Sequence, residues 1–391
     1  MAGFTHVFNR TALCAAAAAI ALLSGCSGSV QPDPAPKPLT HITETTRLEG
    51  LWSHGIGSLG RADYPIAPAL DNGVLYAANA KGVLQAFQAD NGRQVWEQAL
   101  HVPVSSPITA DAGQLYLGTR KGEVLALDAS NGALRWRAQV ASEVLTAPQV
   151  NSQLVLVQSG DGTLTALDRL TGHVQWVYAA SQPTLTLRTP STPRTIDPVT
   201  FAGFSNGRLA LFANNDGHMM WDMRLAIPRG ASEIDQLTDV SGQPVLTEDG
   251  HLFATSYHGQ LVSLNVRTGE PLWSHDLSSY RSPVYANGTL YVVDDRSHLI
   301  AFDAANGAPH WTNDTLEGRN LTAPLVIGQQ LVVGDLDGYL HVINAATGEL
   351  EGRRKAGGNG IALTPLSDGE RIFVMTQDGH LIAYRLAARN A

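Results

Sequence analysis

Cysteine is nearly absent from this 391-residue chain: Cys14 and Cys26 are the only two, and both lie close to the N-terminus. A disulfide framework for the body of the protein is therefore excluded. Charge is also sparse, with Asp, Glu, Lys and Arg together making up 16% of the residues. The balance is acidic, a formal −9, and no basic run interrupts it. Nucleic acid is excluded as a partner, because its phosphates are bound by clustered Lys and Arg. The acids are scattered, so the net charge does not imply a calcium site. Catalytic signatures are missing as well: there is no His-Glu-x-x-His, no Gly-x-Ser-x-Gly and no phosphate-binding Gly-Lys loop. What remains is 44% hydrophobic and holds 38 glycines, a mix that suits a folded body rich in turns.

The N-terminus reads as an export signal. Arg10 is followed by TALCAAAAAIALL, an apolar run too short for a typical spanning helix. It ends in Leu23-Ser24-Gly25-Cys26, which resembles the lipobox of bacterial lipoproteins. That resemblance implies cleavage before Cys26 and a lipid on its sulfur, against the competing reading of a plain signal peptide with an incidental cysteine. The resemblance extends to sorting: Ser27 stands where an Asp would look like a signal for inner-membrane retention, which implies the periplasmic face of the outer membrane. Residues 26–44 then read as a stiff Pro-rich tether, about 3 Å per residue where the prolines alternate. The expected division is a signal peptide over residues 1–25, a lipidated cysteine and tether over 26–44, and the body over 45–391.

The body is a repeat. Its seven tryptophans, Trp52, Trp96, Trp136, Trp176, Trp221, Trp273 and Trp311, recur about every forty residues. Each but the first has a glycine four residues earlier, in an Asn-Gly, Thr-Gly or Asp-Gly corner. A further copy keeps Gly348 but has Gly352 in place of the tryptophan. Segments such as EVLALDASNGALRW read as strand, tight turn, strand. Prolines 68, 107, 148, 198, 244, 283, 324 and 365 mark the start of an apolar strand in each copy, where a missing N–H is tolerated. Eight copies of about four strands predict an all-β, eight-bladed propeller. The last copy has only three strands, and the stretch around Trp52 is a strand without a copy of its own. The N-terminal strand is thus expected to complete the last blade and close the ring. The tryptophans are read as packing between blades, because residues spread around a ring cannot converge on a ligand.

No catalytic, cofactor or metal set emerges. Asp335-Leu336-Asp337-Gly338 resembles half a calcium loop but lacks the remaining ligands, and reads as a hairpin turn. The Trp-Gly repeat resembles the quinoprotein dehydrogenases, which bind pyrroloquinoline quinone. That likeness implies a periplasmic PQQ-dependent enzyme as the alternative function. The chain lacks the adjacent cysteines and the length that this family brings to its quinone pocket, so a non-enzymatic role without cofactor is expected.

The repeat breaks twice. From the tryptophan position to the next strand-starting proline the chain takes 10 to 13 residues in most copies, but 22 after Trp176 and 23 after Trp221. Both connections run from an outer strand to the next inner strand, so both emerge on one face, side by side. They mix apolar and charged residues, as binding loops on a rigid scaffold do. Leu185, Leu187 and Ile234 have no evident core to enter. With the lipobox and eight blades, TLTLR at 184–188 and GASEIDQLTDV at 230–240 resemble the family of outer-membrane protein assembly factor BamB. The resemblance implies docking on the periplasmic POTRA domains of BamA through Leu185, Leu187, Arg188 and Asp239. It also implies contact with other subunits of that machinery and with unfolded outer-membrane proteins. Ser241 stands where the family often has a second Asp. Asp239 is expected either to meet a basic residue of the partner or to orient Arg188.

Overall fold

The computed structural model describes residues 34–60, 65–188 and 190–388. The signal segment, Cys14 and Cys26 lie outside the described residues. Alternation of apolar and polar residues, broken by glycine corners, folds the body into eight antiparallel four-stranded sheets. The first blade is Ala69–Asp71, Val74–Ala78, Val83–Gln88 and Gln94–Ala99, counted from the inside outward. Blades two to seven occupy residues 109–139, 149–179, 194–224, 245–276, 284–313 and 325–355. The eighth takes Leu366–Ser367, Arg371–Met375 and His380–Ala388 from the C-terminus, and its outer strand is Thr46–Gly55. That strand is antiparallel to its partner, from Thr46 opposite Ala388 to Gly55 opposite His380. The ring therefore closes through the N-terminal strand, as the incomplete last copy required.

The apolar core lies between blades rather than at one centre. Leu84 of the first blade packs with Leu117 and Leu125 of the second, and the same pairing of buried aliphatic faces repeats around the ring. The tryptophans seal these joints from outside. Each indole N–H donates to a backbone carbonyl in the outer turn of the following blade, at 2.8 to 3.3 Å. A one-residue irregularity beside each of these tryptophans re-aims the side chain toward that turn. The ring of Trp136 lies over Gly172, whose φ is +74° and whose missing Cβ would sit 2.6 Å from it. The repeated glycine thus serves twice, turning the chain and admitting the preceding blade's indole.

Gly352 breaks the pattern for a local reason. A Cβ there would lie 2.1 Å from the carbonyl oxygen of Thr46, where the chain enters the closing strand. The joint between blades seven and eight is held instead by Arg354, which donates to the Leu48 carbonyl (3.2 Å) and lies over the Tyr384 ring.

Two expectations need correction. Pro198 does not open the fourth blade; Pro193 precedes its inner strand Arg194–Ile196, and Pro198 sits in the turn that follows. The first long connection is therefore shorter than the sequence spacing suggested. The tether is not free over its whole length either. Pro34 to Thr45 lies against blades six and seven. The Lys37 N–H donates to the Glu317 carbonyl (2.9 Å), and its ammonium bridges Asp314 (3.1 Å) and Glu317 (3.2 Å). Leu39 packs into the joint between blades six and seven. Arg353 donates to the Thr40 carbonyl (3.0 Å), and the Thr45 N–H donates to the Glu351 carbonyl (2.9 Å). The alternating prolines suggested a spacer; polar contacts made by the residues between them turn this part into a strap.

Candidate docking face

The connections over residues 180–193 and 225–244 emerge beside one another, on the face that carries all the links from one blade to the next. They are stitched together at three levels. Gln243 reaches the Gln149 side chain (2.8 Å) and the Pro193 carbonyl (2.9 Å) near the inner strands. Ser191 donates to the Gly242 carbonyl (3.3 Å). Further out, the Leu187 amide donates to Oδ1 of Asp239 (3.2 Å).

Asp239 is only 1% exposed, so it does not present a carboxylate to a partner. Nor does it orient Arg188, whose guanidinium pairs with Glu143 at 2.6 Å. Its role is internal. It holds the backbone of the first loop with its side chain, and its own carbonyl accepts from the Tyr257 amide (2.8 Å). Burial pushes the Asp239 carboxyl above the usual range, opposed by the nearby Ser205 side chain and the Leu187 amide. Its Oδ2 has no hydrogen-bond partner. Ser241 is buried beside it.

Leu185 (39% exposed) and Arg188 face solvent, while Leu187 is half-buried. Arg188 has φ +55° and its amide donates to Thr186 Oγ1 (3.2 Å), so the segment turns at the arginine instead of continuing extended. In the second loop, Ser232 and Asp235 exchange backbone-to-side-chain hydrogen bonds, both 3.2 Å, around a tight turn. Leu237 and Val240 anchor that loop inside, while Ile227 and Ile234 stay about half exposed.

The face continues onto residues that sequence reasoning missed. Tyr257 stacks on His258 (centroids 3.9 Å apart) and meets Tyr280 edge-on. Arg281 lies 4.8 Å over the Tyr280 ring and donates to Asn320 (2.8 Å). Its buried Nε is unpartnered, and burial pushes the guanidinium down from its ordinary value. The available signal was position: Tyr280 and Arg281 are an aromatic and a cation outside the tryptophan register, in a link between blades. Together with the exposed Leu185, Arg188, Ile227 and Ile234, the half-buried Tyr257 and Tyr280 rings make a mixed apolar and cationic surface that can bind a protein bringing apolar and acidic groups.

The turn at Asp335 is not a metal loop. Asp335 is fully buried and accepts from Arg319 Nε (2.8 Å) and from the amides of Asp337 (3.0 Å) and Tyr339 (2.8 Å), with His341 Nε2 at 2.9 Å. Burial works to raise its carboxyl, yet these partners hold it below the usual range. Among the described residues no three His, Cys, Asp or Glu converge on a metal position. Of two open clefts on the opposite face, one is lined mainly by polar turn residues such as Gln153 and Asn214, and the other mixes Asn287 and Gln329 with Trp311 and Val326.

The sequence profile of the family described as "Outer membrane protein assembly factor BamB" matches residues 51–313. The protein of that name from Alkalilimnicola ehrlichii is 46% identical over 381 residues, covering 97% of each chain. Among solved structures, BamB from Moraxella catarrhalis superposes with a TM-score of 0.79 at 27% identity, covering 86% of this chain and 99% of that one. A quinohemoprotein alcohol dehydrogenase from Pseudomonas putida HK5 reaches a TM-score of 0.70 at 14% identity, covering 88% of this chain and 77% of that one. The latter likeness is one of fold alone.

Proposed function

The chain belongs to the BamB family of outer-membrane protein assembly factors, and from that premise we propose that it is a non-catalytic scaffold of the β-barrel assembly machinery. In this reading Cys26 carries the lipid and holds the protein at the periplasmic face of the outer membrane. Leu185, Leu187 and Arg188 dock on the POTRA domains of BamA, within reach of other subunits and of unfolded barrel proteins awaiting insertion. Asp239 serves the contact indirectly, by fixing the loop that bears Leu187. The observation that carries the reading is the pair of long loops latched on one face with apolar residues left outside. An exposed leucine and a half-buried one that exclude water around a guanidinium make a compact hot spot.

The test is capture of purified BamA POTRA domains. Leu187→Ala combined with Arg188→Ala should weaken binding about thirtyfold, the equivalent of roughly 2 kcal/mol for a hot-spot loss. Thermal stability should change little, because Arg188 is 61% exposed and Leu187 is only half-buried in a loop outside the blades. Undiminished binding by the double variant would remove this loop from the interface.

A further inference from the structure

The strap formed by residues 34–45 decides where a membrane anchor leaves the ring. Lys37 is held by Asp314 and Glu317, in the link between blades six and seven, and Arg319 of that link donates to the Lys37 carbonyl (3.1 Å). Arg319 is itself fixed by the buried Asp335. At Gly318 the fit is tight: an added Cβ would lie 2.5 Å from the Pro34 carbonyl oxygen. From there the chain descends along the outer strand of blade seven, past Arg353 and Glu351, and turns back as the closing strand at Thr46. The link at 314–324 joins an outer strand to the next inner strand, as the two docking loops do. All three therefore lie on the same face of the ring.

Chain length then sets a limit. Pro34 is eight residues from Cys26, at most about 28 Å of extended backbone. Were the chain free as far as Thr46, the leash would be twenty residues, about 70 Å. The blades are only five or six residues tall, roughly 20 Å. The short leash covers that height only when almost fully extended, since a flexible chain of eight residues spans about 16 Å on average. It therefore favours the face it leaves from; the long one, about 25 Å on average, would serve either face.

We propose that the strap holds the docking face toward the membrane, with the rim between blades six and seven nearest to the lipid. The proposal rests on the lipid anchoring of Cys26 put forward above. It gives the docking loops a defined height and tilt before any partner arrives, which lowers the orientational cost of docking.

The test uses the full lipidated protein on vesicles of phosphatidylethanolamine and phosphatidylglycerol containing an acceptor-labelled lipid. Lipidation blocks the Cys26 sulfur, so a cysteine introduced at Thr315 or at Ala305 takes the donor dye. Both positions are exposed and belong to the same side of the ring, Thr315 on the docking face and Ala305 in the opposite turn. Energy transfer should be at least about twofold more efficient from Thr315→Cys than from Ala305→Cys, given blades roughly 20 Å tall. Lys37→Ser with Leu39→Ser should release the strap and abolish that difference while the protein still floats with the vesicles. Equal transfer from the two sites in the otherwise unaltered protein, or a difference that survives strap release, overturns the proposal and leaves lipid anchoring intact. Failure to float at all overturns the anchoring and the orientation together.

Discussion

The amide of Leu187 donates to Oδ1 of Asp239 across two separate loops, and this one hydrogen bond ties an outward-facing segment to a buried carboxylate. The cost of burying the charge is borne by the fold, while the ordering it brings belongs to the loop surface.

The arrangement has a pH signature. Unfolded, Asp239 titrates near 3.9; folded, burial raises it. Between the two values the folded state binds more protons, so this group's contribution to stability falls as pH rises through the folded value. Asp239→Asn keeps an oxygen for the Leu187 amide and removes the titration. Urea unfolding from pH 4 to 7 should show the variant gaining stability relative to wild type as pH rises. A constant difference across that range would place the ionised carboxylate outside the energetics of the fold.

Restoring the repeat at its one defective position should fail. Gly352→Trp brings the seventh blade into line with the others, yet its Cβ has only 2.1 Å to the Thr46 carbonyl. We expect a loss of about 1–3 kcal/mol from overpacking, with displacement of the closing strand. Chemical denaturation, with hydrogen exchange of the Thr46 segment, measures both effects.

The converse holds at an intact joint. Gly172→Ala places a methyl group against Trp136 at a backbone φ of +74°, so it should destabilise where a glycine-to-alanine change is often neutral or favourable. Trp136→Ala should cost more, about 3–5 kcal/mol. If Gly172→Ala melts at or above the wild-type temperature, the indole–glycine contact does not seal the joint.

The buried ion network beneath the strap gives another measurable loss. Asp335→Asn removes the buried carboxylate beside the Arg319 guanidinium, only 4% exposed, and leaves it paired with the half-exposed Asp337. Breaking one side of such a pair typically costs about 3–5 kcal/mol. Limited proteolysis should also cleave the Lys37–Thr45 stretch faster, because Arg319 positions the Lys37 carbonyl.

Much of the fold was legible because its signals are local. A glycine corner and an apolar alternation need no knowledge of distant residues, and eight of them imply a ring. The missing outer strand of the last copy likewise located the closure. Contacts between distant residues were less accessible. Trp136 stands four residues after Gly132 in sequence, yet the glycine it covers is Gly172 of the next blade. Asp239 lies in a polar stretch and resembled a surface acid; only the packing of Leu237 and Val240 around it draws it inside. Pro193 and Pro198 both precede β-branched segments, so spacing chose the wrong one. In the strap, Lys37 and Leu39 find partners some 280 residues away, and composition alone registered only the prolines between them.

The closing strand also imposes an order on the making of the protein. Thr46–Gly55 is among the first parts of the body to be synthesised, and its partner His380–Ala388 is the last. Until that partner emerges the ring is an open arc with an unpaired edge at each end, the kind of exposed template that invites wrong pairing. During export this interval lasts for nearly the whole length of the chain, so the growing arc depends on being kept from other strands. A scaffold inferred to serve the assembly of barrels must first pass through the same hazard as its clients: a sheet waiting for its first strand to meet its last.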